Sequence, residues 1–218
     1  MAQPLDVLIV GAGGHGAVVL EILRAAGQYR PAAFIDADPS LAGKTVHGVT
    51  VAGAMNVLPR VRSKIRHAIV AIGDNSVRAS CAQKLLAAEM ELVNAIHPSA
   101  VISPSATLGR NVVIAAGVVV GTAAKIGDSA LLNTGCLIDH ECDIGATVHI
   151  APGAKLAGRV QVGERAFIGI GACIIQCLQI GAEAVVGAGA VVIRDVAART
   201  TVVGSPARPM IRRAISSS

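Results

Sequence analysis

The sequence predicts two domains of different fold class: a small Rossmann-like α/β domain over residues 1–97 and an all-β solenoid over residues 98–218. Strand-like and helix-like apolar patterns alternate in the first half of the chain, which is typical of α/β domains. An unbroken six-residue repeat fills the second half, and a fixed short period is typical of solenoids. The period changes near His97-Pro98, where we place the domain boundary.

The first domain is expected to contain a parallel sheet. Short apolar runs at residues 7–10, 32–36 and 68–72 predict three strands. Helical apolar spacing over residues 17–26 predicts a helix after the first strand, and a second helix is expected over residues 76–88. Strands that alternate with helices favour parallel pairing through right-handed crossovers.

The repeat places Ile, Leu or Val at every sixth position from Ile102 to Val192, in sixteen hexads without an insertion. Another apolar residue, usually small, follows four positions after each of them. Three hexads make one coil of three short strands, so we expect about five coils and a prism roughly 24 Å long at the usual strand spacing. The aliphatic series should fill the interior, and polar residues should point outward.

Composition excludes several classes of function. The chain is 53% apolar, but charged and small residues interrupt every run well before the ~18 residues of a spanning helix. The N-terminus has no basic segment or cleavage-like site, so we expect a cytoplasmic protein without membrane insertion. A net charge of +5 and 1% aromatic residues argue against nucleic acid, whereas a mild positive balance suits a phosphate-bearing small ligand.

The five cysteines are interpreted from their spacing. Cys136, Cys142 and Cys173 follow the hexad period or nearly so, and the first two fall on its small inward position. We expect them to be small core residues and not disulfide partners or metal ligands.

Residues 11–16, Gly-Ala-Gly-Gly-His-Gly, form a G-x-G-x-x-G turn between the first strand and the first helix. Such a turn can hold phosphate at a helix N-terminus, as in a nucleotide sugar, or can be a purely structural tight turn. NAD is a third possibility, but the short domain leaves no second mononucleotide half. His15 is either a phosphate donor or an exposed turn residue, and Asp36 lies about where a ribose-binding acid is expected.

Two histidines, His140 and His149, occupy outward positions of the repeat. They are nine residues apart, which is half of a coil, so they should lie on opposite sides of one prism. If prisms pack around a threefold axis, His140 of one subunit can share a cleft with His149 of its neighbour. Because only two histidines lie in the repeat, a three-histidine zinc site is disfavoured.

His140 is the candidate general base. Acidic residues at positions 139, 141 and 143 surround it, and nearby carboxylates increase the basicity of an imidazole and fix its tautomer. The alternative is a solvated corner histidine among surface acids.

Six short motifs together support a resemblance to a known family. They are the turn at 11–16, Phe-Ile-Asp at 34–36, Ala-Ile-Gly-Asp-Asn at 71–75, Ile-His-Pro-Ser-Ala at 96–100, Leu-Asn-Thr at 132–134 leading to Ile-Asp-His-Glu-Cys at 138–142, and Val-Gly-Ser-Pro-Ala at 203–207. In this combination the chain resembles the hexapeptide-repeat acyltransferases. More narrowly, it is similar to the bacterial nucleotide-sugar N-acetyltransferases of the bacillosamine and perosamine pathways, which are related to sialic-acid O-acetyltransferases.

The resemblance implies a left-handed parallel β-helix, a homotrimer, and acetyl-CoA bound between neighbouring prisms without a metal. It implies that His140 is the catalytic base and that Glu141 tunes it. By the same resemblance, His149, Ile170 and Ala188 line the acetyl-CoA site.

The resemblance also implies the acceptor, a UDP- or GDP-linked 4-amino-4,6-dideoxy sugar that is acetylated at its C4 amine for cell-surface glycans such as lipopolysaccharide O-antigen. The residues that would hold it are Gly13, Gly14, His15, Asp36 and Gly73.

The chain departs from some relatives at Ala37, where they carry a second acid, so the base preference of the pocket can differ. Two alternatives stay open: a sugar O-acetyltransferase, and a non-catalytic trimeric scaffold that binds nucleotide sugars. Since no insertion protrudes from the repeat, the N-terminal domain is expected to supply the acceptor pocket.

Overall fold

A computed structural model of the chain describes residues 3–210. It shows the predicted fold class, an N-terminal α/β domain followed by a left-handed parallel β-helix. Within the described residues, no helix has the length and apolar character needed to cross a membrane. The sequence also suggests that a short basic segment ending at Arg213 caps the prism, and residues 211–213 of this segment lie outside the described residues.

The N-terminal domain contains a four-stranded parallel sheet with helices between its strands. From one edge to the other, the strands are β2 Tyr29–Ile35, β1 Leu5–Val10, β5 His67–Val70 and β6 Glu91–Leu92. Its central strands are buried because their side chains are almost wholly apolar. The elements of this sheet are β1 Leu5–Val10, α1 Gly14–Ala26, β2 Tyr29–Ile35, β5 His67–Val70, α3 Asn75–Ala87 and β6 Glu91–Leu92.

The connection from β2 to β5 contains structure that the sequence did not predict. A two-stranded hairpin and a one-turn helix lie here, each too short to show an apolar period. The elements are β3 Thr45–Val46, β4 Val49–Thr50 and α2 Leu58–Arg62, with 3-10 turns at Pro39–Leu41 and Met55–Val57.

The solenoid has three parallel faces, and each pairs a strand with the strand 18 residues later. The docking face contains β7 Ala95–Ile96, β10 Val113–Ile114, β13 Leu131–Leu132, β16 His149–Ile150, β19 Phe167–Ile168, β22 Val185–Val186 and β24 Thr201–Val203. The apolar face contains β8 Val101–Ile102, β11 Val119–Val120, β14 Leu137–Ile138, β17 Lys155–Leu156, β20 Cys173–Ile174 and β23 Val191–Val192. The polar face contains β9 Thr107–Leu108, β12 Lys125–Ile126, β15 Asp143–Ile144, β18 Gln161–Val162 and β21 Gln179–Ile180.

The interior of the prism is filled as the hexads predict. From Ile114 to Val192, every aliphatic residue of the series is buried, and Ile102 and Leu108 pack against this core at the open end. Cys136 and Cys142 are buried as expected. The prediction for Cys173 was wrong: it is the outward residue of β20 and is exposed, because it does not fall on the inward position.

Each corner of the prism turns through a residue of left-handed backbone conformation. At the corner between the docking and apolar faces this residue is always glycine, from Gly117 to Gly189, whereas the other two corners use non-glycine residues at similar φ. Conformation alone therefore does not require glycine at the docking–apolar corner.

The N-terminal domain packs on the docking face, as its buried outward residues show. Val113 and Leu131 point away from the interior and yet are fully buried, because the N-terminal domain covers them. Farther along the same face Val185 is exposed. The two domains therefore share one apolar core, and the cover ends near the middle of the prism.

The C-terminal strand closes the last coil. The strand β24 pairs with β22 in parallel and then with β25 Arg208–Pro209 in an antiparallel hairpin. Beyond Met210 the chain lies outside the described residues.

Candidate active site

The four glycines of the 11–16 turn have two different roles. Gly11 has a φ of +107°, and a Cβ there would lie 2.6 Å from the Ala71 carbonyl oxygen. A Cβ at Gly16 would collide with the Gly11 carbonyl. Gly13 and Gly14 instead face open space, because a Cβ added at either would meet no other atom within 4 Å. The outer pair makes the tight turn, and the inner pair leaves the backbone accessible to a ligand.

Asp36 stabilises this turn. Its Oδ2 accepts a hydrogen bond of 2.7 Å from the Ala12 backbone N–H, and its Oδ1 accepts one of 2.8 Å from the Asp38 backbone N–H. The carboxylate therefore lies beside the glycine turn, as its place at the end of β2 predicts, and both of its oxygens already bond to backbone groups.

His15 lies in the first turn of α1, directly after the open glycines. Its Nε2 is buried and finds no hydrogen-bond partner in the described part of the chain. Burial, and secondarily the positive charge of Arg78, lower the pKa of His15 from 6.5 to about 4. His15 is thus a neutral imidazole near pH 7 with a free ring nitrogen, and not the exposed turn residue of the alternative interpretation.

His149 approaches the same region from the solenoid. It points outward from β16, as predicted, but the N-terminal domain partly covers it. Burial, followed by the charges of Arg78 and His15, lowers the pKa of His149 to about 4, while the nearby Gly73 backbone acts in the opposite direction. Its Nε2, like that of His15, lacks a partner within residues 3–210. The edge of the ring packs on Phe167 with centroids 5.0 Å apart.

The structure therefore brings three of the predicted site residues together: His15 and Gly73 from the N-terminal domain and His149 from the solenoid. Gly73 leaves open space where a side chain would be. These residues line one seam between the two domains of a single chain.

His140 and Glu141 lie elsewhere, at the corner between the apolar and polar faces. His140 Nδ1 is 3.0 Å from Glu141 Oε2, and the His140 backbone N–H donates to Asp139 Oδ1 at 2.7 Å. The ring lies over the next coil at Gly158, where a Cβ would collide with Nε2. The corner thus presents an oriented and half-exposed imidazole.

His140 and His149 do not meet within one chain. The apolar–polar corner is opposite the docking face of a triangular prism, so the two histidines lie on opposite sides, as the half-coil spacing predicts. Ile170 and Ala188 lie one coil apart at a different corner, the one between the docking and apolar faces. Ile170 is 60% exposed there.

Comparison with known proteins gives close relatives. The family described as the PglD N-terminal domain matches residues 6–85. A UDP-N-acetylbacillosamine N-acetyltransferase of Bacillus subtilis is 39% identical over about half of each chain, 51% of both. A GDP-perosamine N-acetyltransferase of Escherichia coli O157:H7 is 34% identical over 70% of both chains.

A solved structure of the perosamine N-acetyltransferase from Caulobacter crescentus is similar over almost the whole chain. It shares 46% identity, a TM-score of 0.90, and coverage of 94% of this chain and 96% of that one. That structure is a histidine-to-asparagine mutant in complex with CoA and GDP-perosamine.

The chain belongs to the nucleotide-sugar N-acetyltransferases.

In the described range, 3–210, no group of three or more His, Cys, Asp or Glu residues has the geometry of a metal site.

Sequence reasoning missed one residue at the seam, Arg78. It is buried at 1% exposure between the Gly73 loop and the solenoid. One signal was available: Arg78, Ala82 and Leu85 have the i, i+4, i+7 spacing of a buried helical stripe, and all three are buried in α3. An arginine in such a stripe indicates a buried hydrogen-bonding role.

Proposed function

We propose that this protein transfers the acetyl group of acetyl-CoA to the C4 amine of a UDP- or GDP-linked 4-amino-4,6-dideoxy sugar, in a pathway of cell-surface glycan synthesis. The observation that carries the proposal is the 46% identity, over 94% of the chain, with an N-acetyltransferase whose structure holds CoA and GDP-perosamine.

His140 is the general base of the proposed reaction. With Nδ1–H donated to Glu141 Oε2, the lone pair of the imidazole is on Nε2. The sugar amine attacks the thioester carbonyl and forms the new C–N bond, and Nε2 takes a proton from the nitrogen. The tetrahedral intermediate then collapses, the C–S bond breaks, and CoA leaves as the thiol after taking up a proton. General-base assistance of this type contributes about 10²–10⁴ in rate.

The N-terminal domain holds the nucleotide sugar. The accessible backbone at Gly13 and Gly14 begins a 13-residue helix, and helix N-termini bind phosphate through free N–H groups and the helix dipole. Asp36 stabilises this turn by accepting a hydrogen bond from the Ala12 backbone N–H. Neutral His15 and the open backbone at Gly73 face the sugar end of the ligand.

Acetyl-CoA lies along the docking–apolar corner. Ile170 and Ala188 stack there, and the glycine series from Gly117 to Gly189 leaves the corner without side chains at that turn position. The other corners hold side chains at the same φ, so the absence of side chains here suits the close approach of an extended ligand. His149 is around the corner on the docking face.

The protein works as a homotrimer. The outward residues of the apolar face form a stripe that a monomer would expose, and such stripes mark interfaces. Its members are Val101, Val119, Leu137 and Val191, interrupted by Lys155 and Cys173.

Threefold packing of this face completes the site. The face has two edges, the docking–apolar corner and the apolar–polar corner. When three such faces turn toward one axis, each edge meets the opposite edge of the next subunit. His140 of one subunit then faces Ile170, Ala188 and His149 of its neighbour. We place the reaction in the cytoplasm, where acetyl-CoA and nucleotide sugars are available.

The proposal is tested by release of free thiol from acetyl-CoA with UDP-, GDP- and dTDP-linked 4-amino sugars, each paired with its 4-hydroxy counterpart. We expect release with at least one amino sugar and none with the paired hydroxyl sugar. Release with hydroxyl acceptors alone would indicate an O-acetyltransferase. No release with any acceptor would indicate a binding scaffold.

A further inference from the structure

Arg78 is a buried cation at the seam between the two domains. It lies one turn into α3, and its guanidinium is almost wholly excluded from solvent. No carboxylate in the described chain forms an ion pair with it, and the nearest acidic influence is the Asp74 charge. An isolated buried charge is costly unless its hydrogen bonds are satisfied, so its partners explain why it is tolerated.

Every N–H group of Arg78 has an acceptor, and the acceptors belong to both domains. On one side, Nη1 donates to the carbonyls of Ile72 and Gly73, each at 2.9 Å. On the other side, Nε donates to the Ser129 carbonyl at 2.8 Å and Nη2 to the Thr147 carbonyl at 2.9 Å. Nη2 also donates to Asn75 Oδ1 at 2.8 Å, with a longer 3.4 Å contact to the Val148 carbonyl.

These contacts end at the two segments that carry the site. The carbonyls of Ile72 and Gly73 form the loop assigned to the sugar. Thr147 and Val148 directly precede His149, which is assigned to acetyl-CoA. The planar guanidinium of Arg78 therefore links the Gly73 loop to the solenoid coil that carries His149.

We propose that Arg78 is a positioning residue, whose guanidinium fixes the Gly73 loop and the His149 coil relative to each other so that both substrates are held in register. This inference rests on the proposed function and adds to it a residue that contacts neither substrate. Fixing two reactants relative to each other contributes strongly to rate, because a misplacement of about 1 Å can cost 10²-fold.

The charge of Arg78 has a second effect at the same place. It lowers the pKa of both His15 and His149, although burial is the larger cause for each. Other charged groups near the seam are Asp36 behind the glycine turn, Asp74 at the start of α3 and Arg165 on the solenoid corner. Arg110, Asp128 and Glu164 line the cavity between α3 and the solenoid. Arg78 thus helps to keep both imidazoles neutral.

Kinetics of full-length variants test the proposal. Arg78→Met removes both the hydrogen-bonding guanidinium and its charge, and Arg78→Lys keeps a cation that cannot reach both sets of carbonyls. In both variants we expect the KM for the nucleotide sugar and the KM for acetyl-CoA to rise together, and kcat/KM to fall about 10- to 100-fold. A thermal unfolding scan confirms that each variant is folded at the assay temperature, and Arg78→Lys decides the result if Arg78→Met does not fold.

Asn94→Ala is the matched control. Asn94 fastens the segment between the domains to the first coil through Gly109 and Val112, and these bonds involve neither Arg78 nor its acceptors. Loss of the Asn94 side chain should lower thermal stability. It should leave both KM values within about twofold of wild type, because changes at residues that share no partners act independently. The proposal is overturned if Arg78→Lys keeps both KM values within that range, or if Asn94→Ala raises them equally.

Failure of the proposed function has a different signature. If the wild-type protein turns over no amino sugar, the imidazole NMR signals of His15 and His149 in the free protein decide the role of Arg78. We expect both signals to move in Arg78→Lys and to stay in place in Asn94→Ala. Unmoved signals in Arg78→Lys contradict the link between the two segments.

Discussion

At the scale of single residues, His140 depends on the absence of a side chain one coil away. Its ring lies over Gly158, and a methyl group there would overlap Nε2 and Cε1. Gly158 has no positive φ, so its role is to leave space and not to permit an unusual backbone conformation.

Gly158→Ala should therefore reduce activity more than stability. The imidazole can rotate away at little energetic cost, but its Nε2 then leaves the position needed for proton transfer. We expect kcat to fall about tenfold or more while the thermal midpoint changes little, because misplaced catalytic groups lose rate steeply. Gly163→Ala is the control, since its Cβ would lie 2.5 Å from the Ala182 backbone nitrogen and cannot be relieved by a side-chain rotation. A Gly158→Ala enzyme with wild-type kcat would show that the ring position is unimportant.

The two half-buried histidines, His15 and His149, predict a pH dependence of stability. Their pKa values are about 4 in the folded protein and 6.5 in the unfolded chain, so the unfolded chain binds more protons between these values. The stability contributed by neutral His15 and His149 is complete above pH 6.5 and is lost as the pH falls toward 4. Urea unfolding at pH 7 and pH 5 should show a clear loss of unfolding free energy, and the His15→Gln, His149→Gln double variant should reduce that loss. An equal loss in both proteins would contradict the account.

At the scale of elements, the glycine turn assigns two of its glycines to folding and two to ligand binding. Gly11 and Gly16 are required because a side chain at either would meet backbone, and Gly13 and Gly14 are not. A sequence motif alone treats the four glycines as one signal. Only the packing of the turn against Ala71 and within itself distinguishes them.

A pair of substitutions tests this division. Gly16→Ala should lower the free energy of unfolding by about 1–3 kcal/mol or more, since overpacking against fixed backbone forces the helix away from the strand. Gly14→Ala should leave stability near wild type and raise the KM for the nucleotide sugar. Thermal unfolding and steady-state kinetics measure the two effects. If Gly14→Ala binds the sugar as well as wild type does, the open backbone is not a phosphate site.

Much of the fold could be predicted from period alone. The hexads determined the direction of each solenoid side chain, from the buried Ile114 to the outward His149, because one register persists without insertion. The hairpin β3–β4 and helix α2 were not predictable, because elements of two to five residues contain no full period. The covering of His149 was also not predictable, since it depends on how one domain packs on the other.

At the scale of the whole molecule, the proposed site is divided between subunits. His15, Gly73 and His149 meet within one chain, while His140 lies on the opposite side of the prism. The proposed trimer joins them, because the two edges of the apolar face meet across each subunit boundary.

Subunit complementation tests this arrangement. His140→Asn removes the base, and Ala188→Trp is designed to block the acetyl-CoA corner, so each variant alone should be inactive. When the two variants are co-expressed, mixed trimers should recover activity at each subunit boundary where an intact His140 faces an intact Ala188. Random assembly gives such a boundary at about a quarter of all sites. Thiol release by the co-expressed and singly expressed proteins is the measurement. A lack of recovery, with mixed trimers shown by mass spectrometry, would place the whole site within one subunit.

His140 is proposed to accept the proton of the sugar amine, and the kinetics of His140→Asn test this role. Asparagine preserves the size and polarity of the side chain but cannot act as a base near neutral pH. With acetyl-CoA and an accepted 4-amino sugar, we expect kcat to fall about 10²–10⁴-fold with both KM values little changed. Turnover by His140→Asn near the wild-type rate would contradict the account.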